Sequence, residues 1–275
     1  MVPLWAPVPL GSERPIGAAP GEAGAAPGDG AAPSENAVSQ GLTPTPPGAT
    51  APAARFSGTR RSLGAFAGSG TKRDLQRSLG HYVRTGYGGA GTALRRFGGT
   101  AATAAGLAAA LGGAAAGRLE ASGVRLDPAL LVGRSAEEVM DAVVEAVRPI
   151  DGTQDAEASR AAIRDALSDL LTRYPEADLL NLGADERGFA VERFAASDVF
   201  RRFELDVGKV IVEKAPSALA ALSRLKEARE YINEAIAASF RKLTAAGRQL
   251  TAGNIGQMVR DALAETLAVF EGYAE

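Results

Sequence analysis

Apolar residues recur at every third or fourth position from about residue 127 to the end of the chain, and this spacing constrains the fold more than any other feature. A helix buries residues that lie three and four positions apart, whereas a strand buries alternate residues. Because no alternating series interrupts the pattern, we predict an all-α fold. Alanine is abundant and only 5% of residues are aromatic, which favours closely packed helices with small side chains.

Five helices are predicted in this region. The first starts at a capping box formed by Ser135 and Glu138 and stops at Pro149, and the second covers residues 155–175. The other three are predicted over residues 197–214, 217–243 and 254–273. The sequence KVIVE near the end of the third also fits a short strand. On the fourth, the residues expected to face inward are Leu219, Leu222, Ile232, Ile236, Phe240 and Leu243.

Charge is distributed unevenly along the chain. Residues 55–96 contain nine Lys and Arg and one acid, Asp74, a net charge of +8, so the rest of the chain must carry −10 to give the overall −2. Such an imbalance indicates an anionic partner for the basic segment. The alternative is that this segment docks on the acidic C-terminal half of the same chain.

The first 54 residues have an unusual composition, with eleven of the fifteen prolines and eight glycines. A segment of this composition buries too little apolar surface to offset chain entropy, so we predict a disordered arm. Its first residues, MVPLWAPVPL, lack the basic start and the uninterrupted apolar run of a signal peptide, so we expect a cytoplasmic protein. Trp5, the only tryptophan, is either incidental or an anchor for a groove in a partner.

The run from Phe97 to Gly117 contains no charged residue. Its length fits a membrane span of about 20 residues. Alanine, glycine and threonine dominate it, however, so its apolar transfer energy is small. We predict a buried helix and no membrane association, because small side chains let another helix approach closely.

Several glycines follow a helical pattern that ends near Val83. Gly86, Gly88 and Gly91 match the G-x-G-x-x-G spacing of dinucleotide-binding loops. Such loops follow a buried strand, whereas this one follows a helix, and the first acid after it is as distant as Glu120. We therefore reject a dinucleotide site.

The remaining interpretation is a helix, a glycine turn and a second helix that begins near Thr92. We expect Arg95 and Arg96 in the first turns of this second helix, where free backbone amides favour an anion. The alternative is that the glycines only form a tight turn between two helices.

The sequence gives little support for catalysis. The chain has no cysteine and a single histidine, His81, which excludes disulfides, thiolate sites and multi-histidine metal centres. The nearest polar neighbours of His81 in the sequence are basic or neutral, and a lone histidine beside Tyr82 and Val83 is typical of a structural residue. We predict a protein with no enzymatic activity, cofactor or metal.

The most specific motifs of the chain, YVRTGYGG and RRFGG, lie between Arg55 and Gly99. With PLWAP ahead of them and an acidic helical half behind them, the chain resembles the QatB component of the Qat anti-phage defence system. The resemblance is specific over residues 55–112 and architectural beyond them. It implies three partners, namely a companion ATPase, a QueC-like enzyme related to 7-deazaguanine synthases, and a TatD-like nuclease. Members commonly begin with Met-Gly, so we expect either a start upstream of MVPLW or a missing functional N-terminus.

Together these observations predict three parts: a disordered arm (1–54), a basic helix, glycine turn and helix module (55–120), and a helical C-terminal domain (121–275). The predicted function is a non-enzymatic defence component that binds the QueC-like enzyme and serves as its N-terminal protein substrate. Nucleic-acid binding by residues 55–96 is the alternative. The predicted partner-binding residues are Trp5, Arg60, Arg61, Lys72, Arg73, Arg77, His81, Tyr82, Arg84, Gly86, Gly88, Gly89, Arg95 and Arg96.

Overall fold

A computed structural model of the protein describes residues 55–112, 126–127, 130–248, 250–251 and 253–274. The predicted arm, residues 1–54 with Trp5, lies outside the described residues. The stretch 113–125, which contains the end of the predicted basic module, lies outside them as well.

The described residues contain helices and no β-strand, which confirms the predicted all-α class. Two π-helical segments, Tyr82–Gly86 and Glu204–Gly208, interrupt the α-helices. The α-helices are α1 (Ser57–Ser69), α2 (Lys72–His81), α3 (Ala90–Arg96), α4 (Gly98–Ala110), α5 (Ala136–Val147), α6 (Gln154–Arg173), α7 (Ala184–Phe203), α8 (Lys209–Lys214), α9 (Ala218–Ala245) and α10 (Ile255–Gly272).

A tight turn joins α1 to α2. Gly70 adopts a left-handed conformation with φ of 67°, which ends α1 at little cost because glycine has no Cβ. The hydroxyl of Thr71 then accepts a hydrogen bond from the Asp74 N–H and caps α2. The two helices pack their apolar faces into the core through Leu63, Phe66, Leu75 and Leu79.

Residues 98–110 of the charge-free run form α4, which is buried as predicted through Ala101, Ala104 and Leu107. A Cβ added at Gly256, near the start of α10, would lie 3.5 Å from the Ala101 carbonyl oxygen, so α10 approaches the α4 backbone closely. In the part of the chain that the structure describes, no helix combines the length and apolar character needed to cross a membrane.

The structure confirms the predicted starts and stops of α5 and α6. In the capping box, the Glu138 N–H donates to Ser135 Oγ at 3.3 Å, and the Ser135 N–H donates to Glu138 Oε2 at 2.9 Å. Thr153 caps α6 by accepting from the Ala156 N–H at 3.1 Å. Each helix ends two residues before a proline, α5 before Pro149 and α6 before Pro175, because proline cannot continue the backbone hydrogen bonding.

For the segment predicted as a helix over residues 197–214, the start is wrong and the end at Lys214 is confirmed, although a π-helical segment divides it. Helix α7 begins at Ala184, since the Gly183 N–H is capped by Glu186 at 2.7 Å and Val191 and Phe194 are buried. Many charged residues between these apolar positions conceal the helical pattern. The KVIVE sequence belongs to α8, so the strand alternative is also wrong.

The expected inward face of α9 is wrong in its first two turns. Leu219 and Leu222 are 78% and 66% exposed, respectively. The inward face carries Ala221 and, about two turns later, Ala228, and alanine gives a weaker periodic signal than leucine. Further along the helix the prediction is confirmed, because Ile232, Ile236 and Phe240 are buried.

One hydrophobic cluster extends from Phe56 to Phe270 and includes residues of α1–α4 as well as of the later helices. A fully buried carboxylate, that of Asp198, lies within it. It accepts hydrogen bonds from Thr100 Oγ1 at 2.5 Å, Ser159 Oγ at 2.6 Å and Arg202 Nε at 3.2 Å. These donors offset the cost of burying the charge and join α4, α6 and α7.

Candidate partner-binding surface

Eight predicted partner-binding residues are cations with exposed side chains on α1, α2, α3 and the first π-helical segment. Each lies beside buried residues of the same element, so the helices position the charges outward while their apolar faces pack inward. We call these residues the eight exposed cations: Arg60, Arg61, Lys72, Arg73, Arg77, Arg84, Arg95 and Arg96.

The eight exposed cations form no ion pair with any described residue. The seventeen ion pairs of the described residues all use cations from Arg134 onward. Among the eight, Arg95 donates to Thr92 Oγ1 at 2.9 Å, and Lys72 Nζ lies 5.4 Å from the centre of the Tyr231 ring. Their charges are therefore available to a partner.

The basic segment is attached to the rest of the fold by apolar packing. The ring centre of Tyr82 lies 5.5 Å from that of Phe56 and 5.1 Å from that of Phe203, which belongs to α7. Arg55 is the one cation of the segment that is built into this contact. Its Nε donates to the Gly86 carbonyl at 2.7 Å, and its guanidinium lies 4.6 Å from the centre of the Tyr87 ring.

The glycine turn between α2 and α3 depends on two residues with positive φ. Gly88 has φ of 79° and Gly89 has φ of 102°, conformations that residues with a side chain rarely adopt. The turn closes with a 3.0 Å hydrogen bond from the Gly89 N–H to the Val83 carbonyl.

The predicted anion position at the start of the following helix is taken by a side chain of the protein itself. The Ala90 N–H donates to Glu271 Oε2, a carboxylate of α10, at 3.0 Å. Helix α3 starts two residues before the predicted Thr92 and is only seven residues long. Arg95 and Arg96 therefore lie in its second and last turn, away from the free amides at its start.

Three other predicted residues are at least partly enclosed. The side chain of Tyr82 is buried, and Gly86 is buried so closely that a Cβ would lie 2.5 Å from the Phe56 ring. His81 is half-buried, and its Nδ1 has no hydrogen-bond partner among the described residues.

Sequence reasoning missed a polar network in which two buried tyrosines and the half-buried Asp206 join the two π-helical segments. The hydroxyls of Tyr82 and Tyr87 donate to Asp206 Oδ2 at 2.9 Å and 2.6 Å. Burial raises the pKa of Tyr82 well above its usual value, and the neighbouring Tyr87 and Asp206 act in the same direction. Burial and Asp206 also raise the pKa of Tyr87. The sequence feature that could have indicated this network is Asp206. It lies three positions after the apolar Phe203, where helical spacing predicts an apolar core residue.

No group of three or more potential metal-ligating side chains occurs within the described ranges.

The sequence model of the Qat anti-phage system associated protein QatB matches residues 88–270, more than half of the 275-residue chain. No curated protein and no solved structure matches the chain significantly. The matched span includes the glycine turn, two of the eight exposed cations and the helices from α3 to α10. The chain therefore belongs to the QatB family, whose members are associated with the Qat anti-phage defence system.

Proposed function

We propose that the protein is a non-enzymatic subunit of the Qat defence complex that binds the QueC-like enzyme through the eight exposed cations. The observation that carries this proposal is the absence of ion pairs at these cations within the described residues, whereas the cations of the later helices are extensively paired. Unpaired arginines suit an interface because a planar guanidinium recognises carboxylates through two parallel hydrogen bonds. Charge complementarity of this kind also accelerates association.

A binding role without catalysis agrees with the surroundings of the only histidine. A general base needs a hydrogen-bonded group that orients its ring and a nucleophile within reach. The Nδ1 of His81 contacts neither among the described residues.

The N-terminal arm is proposed to be the protein substrate of the same partner. A QueC-like enzyme uses ATP to activate a carboxylate on a deazaguanine precursor and passes it to ammonia. The α-amino nitrogen of a protein chain can take the place of ammonia and form an amide as the activating group leaves. The arm is joined to the chain at Arg55, a few residues before Arg60 in α1, so a partner bound at the exposed cations is within its reach.

Trp5 is proposed to fix the position of the arm in the partner. A tryptophan buries about 150–250 Å² of surface, which suffices to anchor an extended peptide in a groove. The prolines around Trp5 limit the conformational entropy that is lost on binding. The defence ATPase and the TatD-like nuclease are proposed as further members of the complex.

The docking proposal is tested with the paired substitutions Arg95→Ala and Arg96→Ala. Both side chains are exposed and unpaired, so helical content and melting temperature should stay unchanged while copurification with the QueC-like protein and phage protection are lost. The matched control is the pair Lys209→Ala and Lys226→Ala, which removes two exposed charges from α8 and α9 that are paired with Glu213 and Glu230. An Arg95 and Arg96 variant that unfolds, or that still protects, contradicts the proposal.

The substrate proposal is tested by intact-mass spectrometry of the protein coexpressed with its QueC-like partner from the native gene context. We expect a mass increase located at the amino terminus and weaker partner binding by a Trp5→Ala variant. An unmodified terminus together with full binding by that variant rules out both roles of the arm.

Nucleic-acid binding is the second candidate function, and the same unpaired arginines favour it. The two functions differ in their response to salt. A protein that contacts six to ten phosphates loses roughly 10³–10⁵ in affinity between 50 and 200 mM salt. A mixed apolar and polar protein interface loses far less, so a salt titration of each complex separates them.

A further inference from the structure

We propose that a groove between α1 and α2 binds a phosphodiester group of nucleic acid. The groove has a volume of about 340 Å³, and Ala274, which follows α10, lines one side of it. The other lining residues belong to α1 and α2 and are Arg61, Ser62, Ala65, Asp74, Arg77 and His81. This site uses Arg61 and Arg77 and leaves Arg95 and Arg96 to the proposed protein contact, so it rests on the second candidate function, nucleic-acid binding, and not on the first.

Two guanidinium groups give the groove its positive charge. Arg61 comes from α1 and Arg77 from α2, and neither pairs with a carboxylate of the described residues. Each guanidinium presents several N–H donors in one plane, a geometry that matches two oxygens of a phosphate.

Ser62 adds a hydroxyl to the wall of the groove. The residue as a whole is only 7% exposed, and its hydroxyl forms no hydrogen bond with any described residue. The hydroxyl oxygen is not enclosed, so it is open to the groove and free to donate there. A phosphate oxygen in the groove accepts this hydrogen bond.

The ring of His81 supplies a further donor. Its Nδ1 is enclosed without a partner, and a Cβ on Gly58 would lie 3.4 Å from it, so this nitrogen faces the backbone of α1. A buried lone pair without a partner is better tolerated than a buried N–H, so the proton of the neutral ring belongs on Nε2. Nε2 has no partner among the described residues and is not enclosed, so it is free to donate to the ligand.

The charges of the groove favour a phosphodiester over a phosphate monoester. Hydrogen bonds from Ser69 at 2.6 Å and Thr71 at 2.8 Å lower the pKa of Asp74 and hold this carboxylate ionised. With Arg61 and Arg77 the side-chain charges then add to +1. A phosphodiester carries one negative charge and neutralises this sum, whereas a monoester carries about −1.5 to −2 at pH 7 and exceeds it.

The residues next to the groove extend the same chemistry. Arg60 and Arg73 are exposed and unpaired within the described chain, and each directly adjoins the groove segment of its own helix. A nucleic acid repeats its negative charge at every nucleotide, so these cations can meet the neighbouring phosphates. No phenylalanine, tyrosine or tryptophan lines the groove among the described residues, which favours contact with the backbone over stacking with bases.

The test measures the binding of a short labelled oligothymidylate to the full chain by fluorescence anisotropy at several salt concentrations. The double variant Arg61→Gln and Arg77→Gln should lose about tenfold or more in affinity, and its salt slope should fall by about 1 because one phosphate contact is lost. Ser62→Ala should lose about three- to tenfold with an unchanged salt slope, because it removes a hydrogen bond and no charge. The control variant Lys209→Gln and Lys226→Gln should bind like the unaltered protein.

Three outcomes overturn the proposal. The first is an equal loss in the groove and control variants, which indicates attraction by net charge alone. The second is that an oligoglutamate peptide binds at the groove while the oligonucleotide does not, which assigns the groove to an acidic protein. The third outcome applies if the double variant melts early. The site is then refuted if Ser62→Ala binds the oligonucleotide as tightly as the unaltered protein and the Arg61 Nε–H resonance of the unaltered protein does not shift on adding oligonucleotide. An Arg95→Ala and Arg96→Ala variant that keeps oligonucleotide binding separates this site from the proposed function.

Discussion

Gly80 in α2 is a position where the fold has no room for a side chain. A Cβ there would lie 2.4 Å from the Ala274 nitrogen and 2.6 Å from the Tyr273 carbonyl carbon. Both atoms belong to the backbone, so the contact cannot be relieved by a rotamer change. We expect Gly80→Ala to lower the free energy of unfolding by about 1–3 kcal/mol, measured by urea unfolding.

The matched control is Gly68→Ala in α1. This glycine is exposed, and a Cβ there meets no atom within 4 Å. Alanine has the better helix propensity, so we expect this variant to be as stable as the unaltered protein or more stable by up to about 1 kcal/mol. Equal destabilisation by both substitutions would show that the close contact with Ala274 is not the cause.

The tyrosines that donate to Asp206 make the free energy of unfolding depend on pH in the alkaline range. Their pKa values are raised in the folded protein, so unfolding at high pH releases protons. This contribution is complete below the pKa of an unfolded tyrosine, about 10, and is lost as pH rises above it. We expect the free energy of unfolding to fall above about pH 10, by up to about 1.4 kcal/mol per pH unit for each tyrosine. Urea unfolding between pH 8.5 and 11 measures it, and a fall of the same steepness in a Tyr82→Phe variant argues against this origin.

At the scale of elements, helices with a cap and a continuous apolar stripe could be predicted from the sequence. Helix α5 has both, because Ser135 and Glu138 mark its start and Val139 and Val143 form its buried stripe. Helix α9 lacks a clear stripe in its first turns, where alanines face the core and leucines face solvent. Burial against neighbouring helices decides the orientation there, and local spacing does not contain that information.

The same distinction applies to the candidate site. The positions and charges of the eight exposed cations follow from the sequence, because they need only a helix with one apolar face. The hydrogen-bond partners of the glycine turn and of the π-helical segments cannot be predicted in this way. Ala90 and Glu271 are 181 positions apart in the sequence, and Tyr87 and Asp206 are 119 apart. These contacts exist only after α7 and α10 pack against the basic segment, so no local pattern predicts them.

Across the whole molecule, charge and apolar packing have separate roles. The ion pairs of the described residues lie in the later helices, and many of them are solvent-exposed and contribute little to stability. The basic segment is held by its aromatic and aliphatic residues, from Phe56 to Phe97. A molecule built this way can bind an anionic partner at α1–α3 without first breaking internal salt bridges.

The boundary between the arm and the folded part gives the last prediction. The composition of residues 1–54 predicts a disordered arm, and the first described residue, Arg55, already donates to the Gly86 carbonyl and packs on Tyr87. We expect elastase, which cleaves after alanine, to remove the arm and stop near Ala54. Trypsin should leave the Arg55–Phe56 bond intact, because the Arg55 side chain is engaged and Phe56 is buried. Intact-mass spectrometry identifies the fragments, and a first segment that resists elastase as long as the helices do contradicts the prediction.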